Sequence, residues 1–181
     1  FDVAEAETSL SINTRNFEHA IESFDELVDA IAAGTQRPEP QDPTAERFTF
    51  SRHDRPEAMA LLDWRAPVDE TDRLVRALTF GPYPNPLASP KVLLAGDTVV
   101  TVGRVEAGDG EGEPGEVLAV TDDGIEVATA DGSVTIAELT TPTGRPVEVT
   151  ELGLAAGSRL PVLDDAARTR ITEVGAAAAR T

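Results

Sequence analysis

The chain has 181 residues, 40% of them hydrophobic but 4% aromatic, and its 33 acidic against 15 basic side chains give a formal net charge of -18. That composition is enough for a core in one or two small domains and too apolar for a disordered chain. It disfavours nucleic acid and anionic membrane surfaces as partners, because like charge would be met with no basic stripe to offset it.

The absence of cysteine removes disulfides and thiolate metal sites. No apolar run approaches the roughly 20 residues of a membrane helix, and no charged start followed by an apolar core marks a signal peptide, so the cytoplasm is the default compartment. Acidity reads first as a solubilising surface. The chain starts at Phe1 and its one methionine, Met59, is internal, which leads us to expect a piece of a longer protein.

In chain order, Leu10, Phe17, Ile21, Phe24, Val28 and Ile31 recur at helical spacing with Glu18, Glu22, Asp25, Glu26 and Asp29 between them. This predicts one acid-faced helix, or two if Ser23 and Glu26 form a capping box near residue 22, with Gly34 as the stop. Residues 35–60 are rich in proline, charge and glutamine and read as a linker, so nothing nearby covers the apolar stripe. A second helix starts with Pro67 at its first position, carries Asp69, Glu70 and Asp72 in its opening turns, buries Val68, Thr71, Leu74, Val75 and Leu78, and ends at Gly81-Pro82.

The junction from Phe80 to Leu87 comes next, its prolines removing backbone donors and forcing an extended path. Beyond it, a hairpin is expected from Lys91–Leu94, a turn at Ala95-Gly96-Asp97 and a strand over 98–106. A loop at 107–115 leads to strands at 116–121, 125–130 and 133–139, with Asp122-Asp123-Gly124 and Asp131-Gly132 as turns whose glycines supply positive φ. Five such strands predict a small closed or partly open barrel of the oligonucleotide-binding (OB) type. A short helix is expected over 149–156, and a weakly amphipathic terminal helix capped by Asp164 or Asp165, either frayed or leading into another domain.

Chemistry is sparse. His19 falls on the polar face of the first helix beside Asn16 and Ser23 and is expected to be solvated. His53, within Ser51-Arg52-His53-Asp54-Arg55-Pro56, is expected to order its loop through Asp54 and the arginines. Asp109, Glu111 and Glu113 alternate like calcium ligands, but Pro114 and Val120 stand where that pattern needs glycine and a carboxylate. Asp122 and Asp123 are turn residues before they are an acid and base. No nucleophile elbow or phosphate loop is present.

The order of several short motifs resembles the formyltransferase family typified by methionyl-tRNA formyltransferase. They are Glu7-Thr8-Ser9-Leu10-Ser11 opening a helix that closes at Gly34, Leu62-Asp63-Trp64 before a second helix, and Arg76-Ala77-Leu78 at its end. The likeness continues through Pro114-Gly115-Glu116-Val117, Asp123-Gly124-Ile125, Ala130-Asp131-Gly132, Leu152-Gly153 and Gly157-Ser158-Arg159-Leu160. Phe80 to Pro86 with Ser89-Pro90-Lys91 is similar to the formylation domains of nonribosomal peptide synthetases, whereas the transfer RNA branch has a Pro-x-Pro-Gly-Ala form at this point.

The resemblance implies an α+β organisation: residues 1–34 as the terminal helix of a Rossmann-like formyltransferase domain, 35–60 a linker, 61–160 an OB-like five-stranded domain with flanking helices, and 161–181 a linker or the start of a further domain. It implies 10-formyltetrahydrofolate as formyl donor, bound by an upstream catalytic domain whose Asn, His and Asp would do the chemistry. No catalytic, cofactor-binding or metal residue falls on this sequence, His19 and His53 included, and the fragment alone is expected to be inactive. The implied acceptor is an aminoacyl group on a carrier protein, with carrier and adenylation domains as partners. A nucleotide-sugar amine, methionyl-tRNA and a non-catalytic OB-like scaffold are the alternatives.

Overall fold

The computed structural model describes residues 2–51 and 53–180, without the side chain of Asp97. Arg52, one of the arginines expected to order the His53 loop, lies outside the described residues, as do Phe1 and Thr181.

Helix α1 (Ser9–Ala33) is one uninterrupted element. Its start is fixed by a reciprocal cap in which Thr8 Oγ1 accepts the Ser11 N–H at 3.2 Å and Ser11 Oγ accepts the Thr8 N–H at 2.8 Å. Gly34 closes it in the left-handed region at φ 66°. The break allowed near residue 22 does not occur: Ser23 donates its hydroxyl to the Ala20 carbonyl within the running ladder and caps nothing.

After a stretch whose described residues form no helix or strand, a single turn at Glu57–Ala60 enters the packed unit. Ala58, Met59 and Ala60 all lie in the left-handed region, with φ of 46°, 55° and 62°. Three consecutive non-glycine residues there are unfavourable by roughly 1–2 kcal/mol each, so the surroundings must hold them. Trp64 then plunges into the core, 2% exposed.

Helix α2 (Val68–Leu78) begins one residue later than the sequence predicts, with Pro67 as its extended cap. The cause is Asp131, whose Oδ1 accepts the Val68 N–H at 2.8 Å. At its other end Thr79 terminates the helix ahead of Gly81-Pro82, donating its hydroxyl to Val75 O at 2.7 Å. Thr71, Val75 and Leu78 form the buried face, with Val68 and Leu74 half-buried against the same core.

The strands are β1 (Lys91–Leu93), β2 (Val99–Gly108), β3 (Val117–Thr121), β4 (Gly124–Ala128) and β5 (Ser133–Thr140). They form one antiparallel sheet in the order β1-β2-β5-β4-β3, and the edge strands β1 and β3 do not meet. Of the two forms expected, the open one is realised. Residues 157–160 run along the start of β3 on its outer side, with Val117 N–H donating to Ser158 O at 2.9 Å and Gly157 N–H to Val117 O at 2.8 Å.

β2 and β5 exchange their inward faces at the same level. On β2 Val100 and Val102 point inward, then Val105; on β5 Val134 and Ile136 do so, then Leu139, with Val105 opposite Ile136 and Val102 opposite Leu139. The hinge is Glu138 at φ 54° facing Gly103, where a Cβ would stand 2.9 Å from Glu138 Cβ and 3.2 Å from its carbonyl oxygen. Glycine is required by that approach.

The hairpin glycines work differently from expectation. Gly124 and Gly132 are not in the left-handed region; each is instead pressed against backbone, Gly124 with its Cβ position 2.6 Å from Ile136 O and Gly132 with its own 2.9 Å from Gly108 O. The helix expected over 149–156 is a single 3-10 turn, Val149–Leu152, closed by Gly153 at φ 64°. Helix α3 (Asp165–Ala178) is capped by Asp164, which accepts the Ala167 N–H at 2.7 Å. It packs on the Glu57–Ala60 turn, which corrects the frayed terminal helix.

Candidate functional site

A groove of about 650 Å³ lies where the junction meets the sheet. Phe80, Pro82 and Tyr83 of the junction line it together with Thr101, Thr140 and Thr143, whose hydroxyls pair with Thr140, Thr101 and Thr141 respectively. Gly81 sits at φ 60°, and a Cβ there would stand 2.5 Å from Leu10 Cδ2, so the junction is pressed against the first turn of α1. Three polar links fasten the same contact: the Leu10 N–H donates to Thr79 O at 3.3 Å, Arg76 donates to Glu7 O at 3.1 Å, and Ser9 donates its hydroxyl to Ala77 O. Asn85 stabilises the junction itself by donating to Leu78 O at 3.0 Å and accepting the Leu87 N–H at 2.9 Å.

The groove does not suit a folate donor, which carries carboxylates. Among the described residues no arginine or lysine lines it, and Glu138 does. A second cleft of about 420 Å³ lies between α2 and α3, lined by Leu61, Asp63, Thr71, Leu74 and Arg168. Burial pushes the Asp63 carboxyl up, but hydrogen bonds from Arg65 and the charges of Arg168 and Arg65 outweigh it and hold its pKa below the ordinary carboxylate value. This is a salt-bridged anchor without a nucleophile.

The residues singled out in the sequence are scattered. His19 is exposed and faces Glu22, Nδ1 to Oε2 at 3.2 Å. His53 lies in a loop ordered by Asp54, whose carboxylate accepts the Ser51 N–H at 2.6 Å, and its ring pairs with the Ala179 carbonyl at 2.7 Å. Asp109, Glu111 and Glu113 are exposed along one loop, and Asp122 and Asp123 occupy the β3–β4 turn. Among the described residues no three His, Asp or Glu side chains come together as a metal site.

Lys91, the one lysine of the chain, enters the sequence reading only as a strand and motif residue. Its Nζ donates to Met59 O at 2.6 Å and Ser89 O at 2.9 Å, and burial pushes its pKa down. Its rarity was the available signal.

With this geometry in view, residues 56–155 match the family model described as formyl transferase, C-terminal domain. The chain belongs to that family. Methionyl-tRNA formyltransferase of Stutzerimonas stutzeri is 34% identical over 120 residues, covering 66% of this chain and 35% of that protein. The methionyl-tRNA formyltransferase of Pseudomonas paraeruginosa is 35% identical over 127 residues, covering 70% and 38%. A crystal structure of a HypX variant from Aquifex aeolicus aligns with a TM-score of 0.48 at 23% identity, covering 73% of this chain and 22% of that one. This formyltransferase C-terminal domain therefore spans little more than a third of the curated relatives it matches. The family-matched segment holds α2 and the whole sheet, while α1 and α3 flank it.

Proposed function

We propose that the chain is the C-terminal part of an N-formyltransferase that transfers a formyl group from 10-formyltetrahydrofolate to an aminoacyl group carried on a protein domain of a nonribosomal peptide synthetase. In this reading the donor and the catalytic Asn, His and Asp belong to an upstream domain, and α1 is that domain's last helix. The present residues supply its buttress: residues 35–60 link the two units, residues 61–160 are the appended domain, and 161–181 lead toward a further domain. Carrier and adenylation domains are its expected neighbours, in the cytoplasm.

The observation that carries the choice of acceptor is the fate of the arginines. Arg15, Arg65, Arg73, Arg76, Arg104, Arg145, Arg159 and Arg168 each lie within ion-pair distance of a carboxylate of this chain. With eight of the fourteen arginines so engaged on a chain of net charge -18, the phosphates of a transfer RNA acceptor would meet a predominantly acidic surface. The relatives named above are methionyl-tRNA formyltransferases, so the proposed acceptor departs from theirs.

The test is formyl-donor consumption by the full-length protein with three acceptors in parallel: an aminoacyl thioester on a carrier domain, an amino nucleotide-sugar and methionyl-tRNA. Turnover with the carrier-bound amine, at a rate insensitive to added transfer RNA, is expected. Faster formylation of methionyl-tRNA would overturn the acceptor assignment, and no turnover with any amine would leave a scaffold.

A further inference from the structure

The left-handed turn at Ala58–Ala60 is held from two directions. From the sheet side, Lys91 Nζ grips the Met59 carbonyl. From the other, α3 presents Arg168, Thr172 and Gly175, which at spacings of four and three share one face of the helix. Thr172 Oγ1 accepts the Ala58 N–H at 2.8 Å while donating to Arg168 O at 3.0 Å, so its hydroxyl is used in both senses. Arg168 Nε lies 3.3 Å from Glu57 and 3.4 Å from Asp63. Gly175 is the buried residue of α3, and a Cβ there would collide with Met59 Sδ and stand 2.6 Å from its Cγ. The ends of the contact are pinned as well, by Arg65 to Asp165 at 2.9 Å and by the His53 ring to Ala179 O at 2.7 Å.

We propose that α3, which lies beyond the family-matched residues, is a latch on this turn. Closed, it keeps three strained residues in place and clasps the chain near His53, where it enters the packed unit, to the chain near Ala179, where it leaves. On the proposed reading that a further domain follows, the segments on either side of the unit then diverge from one corner with a fixed relation; opening the latch frees both together while the sheet stays folded. Strain in the turn supplies the tendency to open, and the Thr172 and Gly175 contacts oppose it.

Hydrogen exchange by mass spectrometry on the whole chain tests this. Gly175→Leu overfills the Met59 contact and should speed exchange at 58–62 and 165–178 together, by about tenfold or more, with 117–140 unchanged. Met59→Ala added to Gly175→Leu should recover much of the lost protection. Thr172→Val, which keeps the shape and removes the acceptor, should loosen the same two segments. A helix that merely rests on the surface behaves in the opposite way, because leucine is the better helix former and would slow exchange in α3. Slower exchange in α3, or an unchanged 58–62 segment in both Gly175→Leu and Thr172→Val, would overturn the latch.

Discussion

Helix α1 and the sheet use similar apolar side chains in opposite ways. In the sheet, Ile125, Val127, Val134 and Ile136 are 0% exposed, whereas Phe17, Ile21 and Phe24 of α1 are 67%, 61% and 61% exposed. Not one residue of the 25 in α1 is buried. The sheet finds its cover within the chain, because α2, Trp64 and residues 147–160 lie over its inner face. Beyond Leu10 the regular stripe of the helix stays exposed among the described residues, so its periodicity describes half of an interface. Apolar pattern specifies which face wants burial; burial itself needs a partner.

The largest effect should come from Trp64→Ala in the shared core, about 3–5 kcal/mol of stability by urea unfolding, enough to unfold much of the population. A loss below about 1 kcal/mol would mean that the core can collapse around the gap. Next is the contact through which the two regions touch. Gly81→Val forces a β-branched residue to positive φ and drives its Cβ into Leu10, and should cost about 1–3 kcal/mol and release the first turn of α1. If the urea midpoint is unmoved, the junction does not depend on that backbone form. Smallest is Phe24→Ser on the open face of α1, expected within about 0.5 kcal/mol in this chain. A cost comparable to that of Trp64→Ala would show that the face is covered by this chain after all, and would erase the contrast.

Much of the scaffold is legible in the sequence for definite reasons. Strand alternation places all five strands, and Gly34 with the Asp164 cap marks helix ends, since each depends on nearby residues. The features that escape depend on residues distant in sequence. The start of α2 shifts because Asp131 reaches it from 63 positions away. Residues 157–160 join the start of β3 from 40 positions further along the chain, as the Gly157 N–H to Val117 O bond shows. Nothing local announces the left-handed turn at Ala58–Ala60, whose residues are not turn formers and whose support comes from Lys91 and Thr172. The candidate site is legible in position, through the prolines of 82, 84 and 86, but its groove is made jointly with threonines of β2 and β5 that no local motif marks.

Lys91 has a practical corollary. The single lysine of the chain has its ammonium turned to two backbone carbonyls and is partly withdrawn from solvent. Amine-directed acylating reagents and cross-linkers consequently have a poor side-chain target here. Carbodiimide coupling through the 33 acidic residues, or single cysteines placed in a background that contains none, offers the better route to mapping what this domain touches.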